Sequence, residues 1–150
     1  MKPFIVLIVT FIIAAFVLSI LHGHYQFALA GKIAMSVMLV FTGIGHFTIT
    51  KGMTMMVPAF MPFKKAIVYL TGIIEFSAAT GLEINRYHRL TGYLLILFFI
   101  TILPANIYAA RHHVNFEKGN TDSVGMEYLW FRIPLQLLFT GWVWVVAIMN

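Results

Sequence analysis

The chain has 150 residues, of which 61% are hydrophobic and 10% are charged, and its formal net charge is +5. This composition excludes a soluble globular domain and favours a chain that lies mostly within a bilayer. Cysteine is absent, which excludes disulfides, thiolate metal sites, iron–sulfur clusters and dithiol redox relays.

Five apolar stretches follow one another along the chain, and each approaches or exceeds the roughly 18–20 residues that cross a hydrocarbon core. They are Phe4–Leu21, Ile33–Thr50, Ala66–Leu82, Leu90–Ala110 and Leu129–Met149. Because lipid offers no partner to unpaired backbone groups, each stretch is predicted to be a helix. The predicted fold is an all-α membrane protein, a five-span bundle that forms one domain over residues 1–150 and contacts the lipid bilayer.

The first stretch has some features of a signal peptide. It follows Lys2, and Ala28-Leu29-Ala30 farther along has the small-x-small pattern of a cleavage site. However, Phe4–Leu21 is uninterrupted, and it is longer than the about 7–15 residues of a signal-peptide apolar region. We therefore interpret it as a retained transmembrane helix, and its cleavage would leave the orientation of the other four helices unchanged.

The positive residues are distributed unevenly over the two sides of the bilayer. One side has Lys2, Lys51, Lys64, Lys65, Arg111, Lys118 and Arg132, and the other has Lys32, Arg86 and Arg89. This bias predicts a cytoplasmic N-terminus and an external C-terminus. It also attributes the net positive charge to membrane topology and not to nucleic-acid binding.

The segments between the spans differ in polarity. Lys51–Phe63 is too apolar for a water-exposed loop and is broken by Pro58 and Pro62, so we predict a lid or short interfacial helix on the cytoplasmic side. The turn Glu83–Arg89 is short, which makes the third and fourth spans antiparallel neighbours.

Four of the spans carry strongly polar residues, which are costly in a bilayer and indicate functional sites by default. They are His46, Glu75, Asn106, Arg132 and Gln136. The predicted topology places all but Glu75 near the cytoplasmic ends of their helices. Glu75 lies about 16 Å along its helix, nearer to the midplane. We expect these side chains to line one ligand-binding or proton-handling pocket in one half of the bundle.

Residues close to Glu75 and Asn106 on their helices support this expectation. Gly72 and Ala79 flank Glu75 on one helical face, so that face can approach a neighbouring helix closely. Pro104 removes a backbone hydrogen bond and frees the carbonyl of Ile100 for another partner.

A carboxylate near the midplane must pair with a cation or take up a proton. We expect Glu75 to share the pocket with Arg132 through His46, water or a ligand, without a direct ion pair. The structural alternative is that Arg132 extends to the headgroups while His46 and Asn106 bond between helices, at about 1 kcal/mol each.

Several methionines and histidines are candidate metal ligands. Copper(I) could bind His46 with Met53, Met55, Met56 and Met61, and His22, His24 and His88 could hold a metal on the external side. Methionine is also a common filler of apolar surfaces, and histidines are common at membrane interfaces, so no metal is expected. Haem is not expected either, since His46 is the only histidine within the predicted spans.

Five short motifs resemble, in the same order, those of the DoxX-like (DoxX family) bacterial integral membrane proteins. They are Gly43-Ile-Gly-His46-Phe47, Met56-Val-Pro58, Val68-Tyr-Leu-Thr-Gly72-Ile-Ile-Glu75-Phe, Pro104-Ala-Asn106-Ile-Tyr108 and Arg132-Ile-Pro134-Leu-Gln136. The resemblance implies a four-helix core over residues 31–150, an added N-terminal helix over residues 4–21, and a bacterial plasma (inner) membrane location. It also implies that the family's polar positions fall on the five residues named above.

Two classes of function remain open. Relatives in that family include a subunit of a thiosulfate:quinone oxidoreductase, which implies a redox-linked subunit that binds a quinone or other amphipathic molecule and works with a partner membrane or redox protein. Arg132, Gln136 and Asn106 would then donate to a carbonyl oxygen, while His46 or Glu75 supplies a proton. The alternative is a non-catalytic assembly protein, chaperone or lipid-binding protein whose polar residues recognise a partner helix.

Overall fold

The computed structural model describes residues 2–115, 118–119, 121 and 126–149, and these contain six α-helices and no strands. The helices are α1 (Lys2–His22), α2 (Phe27–Thr48), α3 (Thr50–Met56), α4 (Lys64–Glu83), α5 (His88–Arg111) and α6 (Met126–Val143), which continues into a π-helical turn (Trp144–Ile148). All except α3 are long and apolar enough to cross a membrane, counting α6 with its extension. The predicted all-α, five-span bundle is confirmed.

The helices begin earlier than the apolar stretches indicate. α2 starts at Phe27 and not at Ile33, and α6 starts at Met126 and not at Leu129. In α2 the apolar stretch is interrupted by Lys32, but lysine is a good helix former whose stem packs on apolar surface while its ammonium reaches a polar region. Hydropathy therefore locates the part of the helix that matches the hydrocarbon core, and not the ends of the helix.

Short connections join α1 to α2 and α4 to α5, so the helices of each pair are antiparallel neighbours. Gly23 follows α1 with a φ of +71°, and its amide donates to the carbonyl of Ser19 at 3.0 Å, which ends the helix in the left-handed region. Residues 84–87 join α4 to α5, and the amides of Tyr87 and His88 both donate to the carbonyl of Ile84. The predicted antiparallel pair formed by the third and fourth spans is confirmed.

One apolar core joins the five spans. It consists of Leu7, Ala34, Met35, Met38, Leu39, Ala78, Ala79, Leu82, Leu95, Phe99, Val143, Val146 and Ala147. Large apolar side chains outside the core point away from the bundle, including Phe16 at 64% and Leu97 at 59% exposure. Such a surface is suited to lipid and not to water. The protein is a multi-pass membrane protein.

Helix α1 lies at the edge of this arrangement. It contributes Leu7 to the main core and packs on α2 through a separate cluster formed by Ala15, Leu18 and Ala30. The other four spans supply the remaining core residues, so they determine where the polar side chains lie.

The end of the bundle where α2 ends, α4 begins, α5 ends and α6 begins is here called the α3 end. The segment after α2 forms the short helix α3, and Val57 and Pro58 behind it are buried. Phe60 and Phe63 are 85% and 83% exposed, which suits lipid contact. The expected short helix is present, and its place at the membrane interface stays a prediction.

Candidate functional site

All five predicted polar residues lie between the apolar core and the α3 end. His46 follows the core positions of α2, Glu75 precedes those of α4, Asn106 follows those of α5, and Arg132 and Gln136 precede those of α6. Because the chain direction alternates from span to span, these positions fall in the same half of the bundle. Two separate contact groups are formed there.

The first contact group is a pair between His46 and Glu75. His46 Nε2 lies 3.5 Å from Glu75 Oε1, and the side chains keep 14% and 9% exposure. We expected Glu75 to lie nearer to the midplane than His46, but the contact places the two side chains at the same level. α2 ends two residues after His46, whereas Glu75 lies well inside α4. At 1.5 Å per residue, α4 extends roughly 13 Å farther toward the α3 end than α2 does.

Helices α2 and α4 approach closely beside this pair. A Cβ atom added to Gly72 would lie 2.9 Å from the Cβ of His46 and 2.9 Å from Cε2 of Phe47. Gly43 is similarly tight, since an added Cβ would lie 3.0 Å from Cε1 of Phe76. The expectation that the Gly72 face of α4 meets a neighbouring helix is confirmed.

Thr71 orients the imidazole of His46. The Thr71 hydroxyl donates to the carbonyl of Val68 at 2.8 Å, and its oxygen lies 3.0 Å from His46 Nδ1. A hydroxyl has one proton, so with that proton directed at Val68 the oxygen accepts from Nδ1–H. Nε2 is then the ring nitrogen that faces Glu75. We did not predict this role for Thr71, although it precedes Glu75 by one helical turn.

Glu75 presents one carboxylate oxygen without a partner. The residue is 7% exposed, and among the described residues Oε2 is a buried oxygen that makes no hydrogen bond. Leaving a buried polar atom unpaired costs on the order of 1–3 kcal/mol, more when the group is charged. The pair is therefore unsatisfied on one side, and a buried polar atom of this kind requires an explanation.

The second contact group joins α5 to α6 around the buried Asn106. Asn106 Nδ2 donates to Gln136 Oε1 at 3.2 Å, and Arg132 Nη1 donates to Asn106 Oδ1. Gln136 Nε2 in turn donates to the carbonyl of Phe99. Most polar atoms of this group thus have partners inside the chain.

The bond from Gln136 lies beside the proline in α5. Pro104 has no amide proton to donate to the carbonyl of Ile100, and Gln136 donates to the carbonyl of Phe99, one residue earlier. A proline inside a helix bends it, which opens the preceding turn as well as the carbonyl four residues before it.

Arg132 and Glu75 belong to different groups. Within the described residues the ion pair of Glu75 is with His46, while Arg132 donates to Asn106. That both groups line a single pocket stays a prediction. Two surface grooves of about 520 and 300 Å³ lie elsewhere, the first lined by Thr54, Phe63, Lys64, Lys65 and Ala66, the second by Ser36, Val37, Val40, Ala79 and Thr80.

Four histidines weighed as metal ligands contact groups of the protein through at least one ring nitrogen. Both ring nitrogens of His46 face protein partners, and the Nδ1 atoms of His22, His24 and His88 bond to backbone carbonyls. In the part of the chain that the structure describes, no three His, Asp or Glu side chains are placed to hold a metal ion.

The fold and these contacts define a five-span helical membrane protein with its polar residues collected at one end of the core. The chain belongs to the family described as a domain of unknown function (DUF8561), whose model matches residues 35–147. The match begins within α2 and includes all five polar residues. No curated protein and no solved structure matches the chain.

Proposed function

We propose that the protein is a redox-linked membrane subunit that binds a quinone or another small amphipathic molecule beside His46 and Glu75. The observation that carries the proposal is the buried, unpartnered Oε2 atom of Glu75. The two side chains retain 14% and 9% exposure, but Oε2 itself is buried, so a head group that binds there must enter between the helices. Ligand sites of this kind are mostly apolar, with a few polar atoms that orient the head group.

Proton exchange is the chemistry that the pair can perform. Imidazole and carboxylate in contact form a donor and acceptor pair that gives or takes a proton at a ligand oxygen. The chain has no cysteine, so the proposal assigns electron transfer to a partner membrane or redox protein.

Asn106, Arg132 and Gln136 are assigned a supporting role within this proposal. Their bonds to each other and to the Phe99 carbonyl hold α5 against α6, and the proposal does not require them to touch the ligand. The same bonds favour the second candidate function, a non-catalytic assembly protein, chaperone or lipid-binding protein, because polar side chains bonded between helices stabilise a bundle without any ligand.

The proposal includes a place in the cell and a family relationship. We propose a DoxX-like protein of a bacterial plasma membrane, with a cytoplasmic N-terminus and an external C-terminus. Support comes from the five ordered motifs and from the seven positive residues on one side against three on the other.

Photo-labelling tests the proposed function. The protein in phospholipid nanodiscs is irradiated with an azidoquinone, and the labelled peptides are mapped by mass spectrometry. We expect saturable labelling near His46 and Glu75 that excess decylubiquinone suppresses and that Glu75→Leu removes. An alkyl azide without the quinone head serves as the matched probe. Labelling that is equal for both probes would contradict the proposal, and a chain without saturable labelling would favour the non-catalytic function.

A further inference from the structure

The contacts of the two His46 ring nitrogens determine where the proton shared with Glu75 lies. Nε2 of His46 faces Oε1 of Glu75, while Nδ1 bonds to Thr71. If neither Nε2 nor Oε1 carried a proton, two lone pairs would face each other in a low-dielectric site, which is unfavourable. A proton therefore lies between these two atoms, on one or the other.

This position leaves Oε2 of Glu75 without a proton. A proton on Oε2 would itself lack an acceptor, since among the described residues this atom has no hydrogen-bond partner. Oε2 is thus an acceptor in the imidazolium–carboxylate form and in the imidazole–carboxylic acid form alike. In both forms the pair is electrically neutral, so a ligand with a net charge is not required to balance it.

From this we infer that the site selects ligands whose head group carries a neutral hydrogen-bond donor, so that it favours the hydroxyl-bearing hydroquinone form over the quinone. The inference rests on the proposed function and specifies the chemistry of its ligand. A hydroxyl supplies the donor that Oε2 lacks, whereas a quinone carbonyl brings a second acceptor against it. Sites with a buried group awaiting a hydrogen bond discriminate strongly against ligands that cannot form it.

Glu75 lies close in sequence to the lipid-facing surface of α4, since Ile73 and Ile74 are 53% and 37% exposed. The apolar tail of a ligand can therefore stay in the bilayer. Its hydroxyl must enter between the helices to bond to Glu75, because Oε2 is buried.

A redox-inert pair of probes tests the donor requirement. Dissociation constants of 4-dodecylphenol and of its methyl ether, 4-dodecylanisole, are measured by native mass spectrometry on the full chain in phosphatidylcholine nanodiscs, with empty nanodiscs as the partition control. We expect the phenol to bind roughly ten- to a hundred-fold more tightly, the effect of one hydrogen bond to a charged group. Glu75→Gln keeps an acceptor oxygen and should retain a smaller preference, whereas Glu75→Met should lose it.

The outcomes separate the two proposals. Equal binding of both probes to the wild type, or a preference that survives in Glu75→Met, would overturn the donor requirement and leave ligand binding itself intact. If neither probe binds, and neither decylubiquinone nor decylubiquinol binds, the proposed function fails together with the inference. Thermal unfolding shows whether Glu75→Met is folded, and Glu75→Gln provides the second test if it is not.

Discussion

Gly72→Ala tests the close contact between α2 and α4 on which the His46–Glu75 pair depends. Carbon atoms in good contact lie about 3.5–4.0 Å apart, whereas the new Cβ would lie 2.9 Å from two carbon atoms and 3.4 Å from the Gly43 carbonyl oxygen. The helices must separate by roughly 0.6–1 Å to relieve this overlap. Overpacking of this kind costs about 1–3 kcal/mol, while alanine gains up to about 1 kcal/mol of helix propensity over glycine. We also expect the 3.5 Å contact between His46 and Glu75 to lengthen beyond ion-pair range.

Gly141→Ala is the matched control. Gly141 also lies in a span, and an added Cβ there would meet nothing within 4 Å. The gain in propensity is shared by both variants, so the difference between them isolates the overpacking cost of about 1–3 kcal/mol. Equilibrium unfolding in mixed micelles measures this difference, and binding of 4-dodecylphenol reports the state of the pair. If Gly72→Ala matched Gly141→Ala in both measurements, the close contact would have no energetic role.

Three further predictions concern other contacts and the topology. Asn106→Ala should lower the free energy of unfolding by about 1 kcal/mol, because two side chains of α6 lose their partner, and unfolding in mixed micelles measures this. Trp142→Phe should cost about 0.5–1.5 kcal/mol in the same assay, since it removes the 3.0 Å bond from the indole N–H to the Gly31 carbonyl and keeps an aromatic ring. Because the chain has no cysteine, single cysteines at Lys51 and Arg86 can be labelled from either side of the membrane, and we expect them to react from opposite sides, Lys51 from the cytoplasm. Labelling of both from one side would contradict the topology.

The fold followed from the sequence because the apolar runs are long and uninterrupted. The same hydropathy could not locate helix ends such as Phe27, since a helix continues through a lysine that the bilayer edge tolerates. The polar residues were predictable from their cost in lipid. Their pairing was not, because residue spacing within one helix does not determine how far that helix is displaced along its neighbour.

The His46–Glu75 contact depends on that displacement. α4 extends beyond the end of α2, and this brings two residues of different predicted depth to the same level. The role of Thr71 was also hidden, because a threonine in an apolar helix commonly bonds to its own backbone. Only the position of His46 shows that the same hydroxyl also accepts a bond from Nδ1–H.

The central question is whether His46 and Glu75 form a binding site or only join two helices. The most direct test is the affinity of Glu75→Gln for decylubiquinol, compared with that of the wild type and of Glu83→Gln on the same helix. The amide keeps the shape of residue 75 and an acceptor oxygen, but this oxygen carries no charge and accepts a weaker hydrogen bond from the quinol hydroxyl. We predict that Glu75→Gln unfolds at the wild-type temperature and binds the quinol more weakly, while Glu83→Gln binds as the wild type does. Unchanged quinol binding by Glu75→Gln, together with a destabilised Glu75→Leu, would instead show that Glu75 only stabilises the contact between the helices.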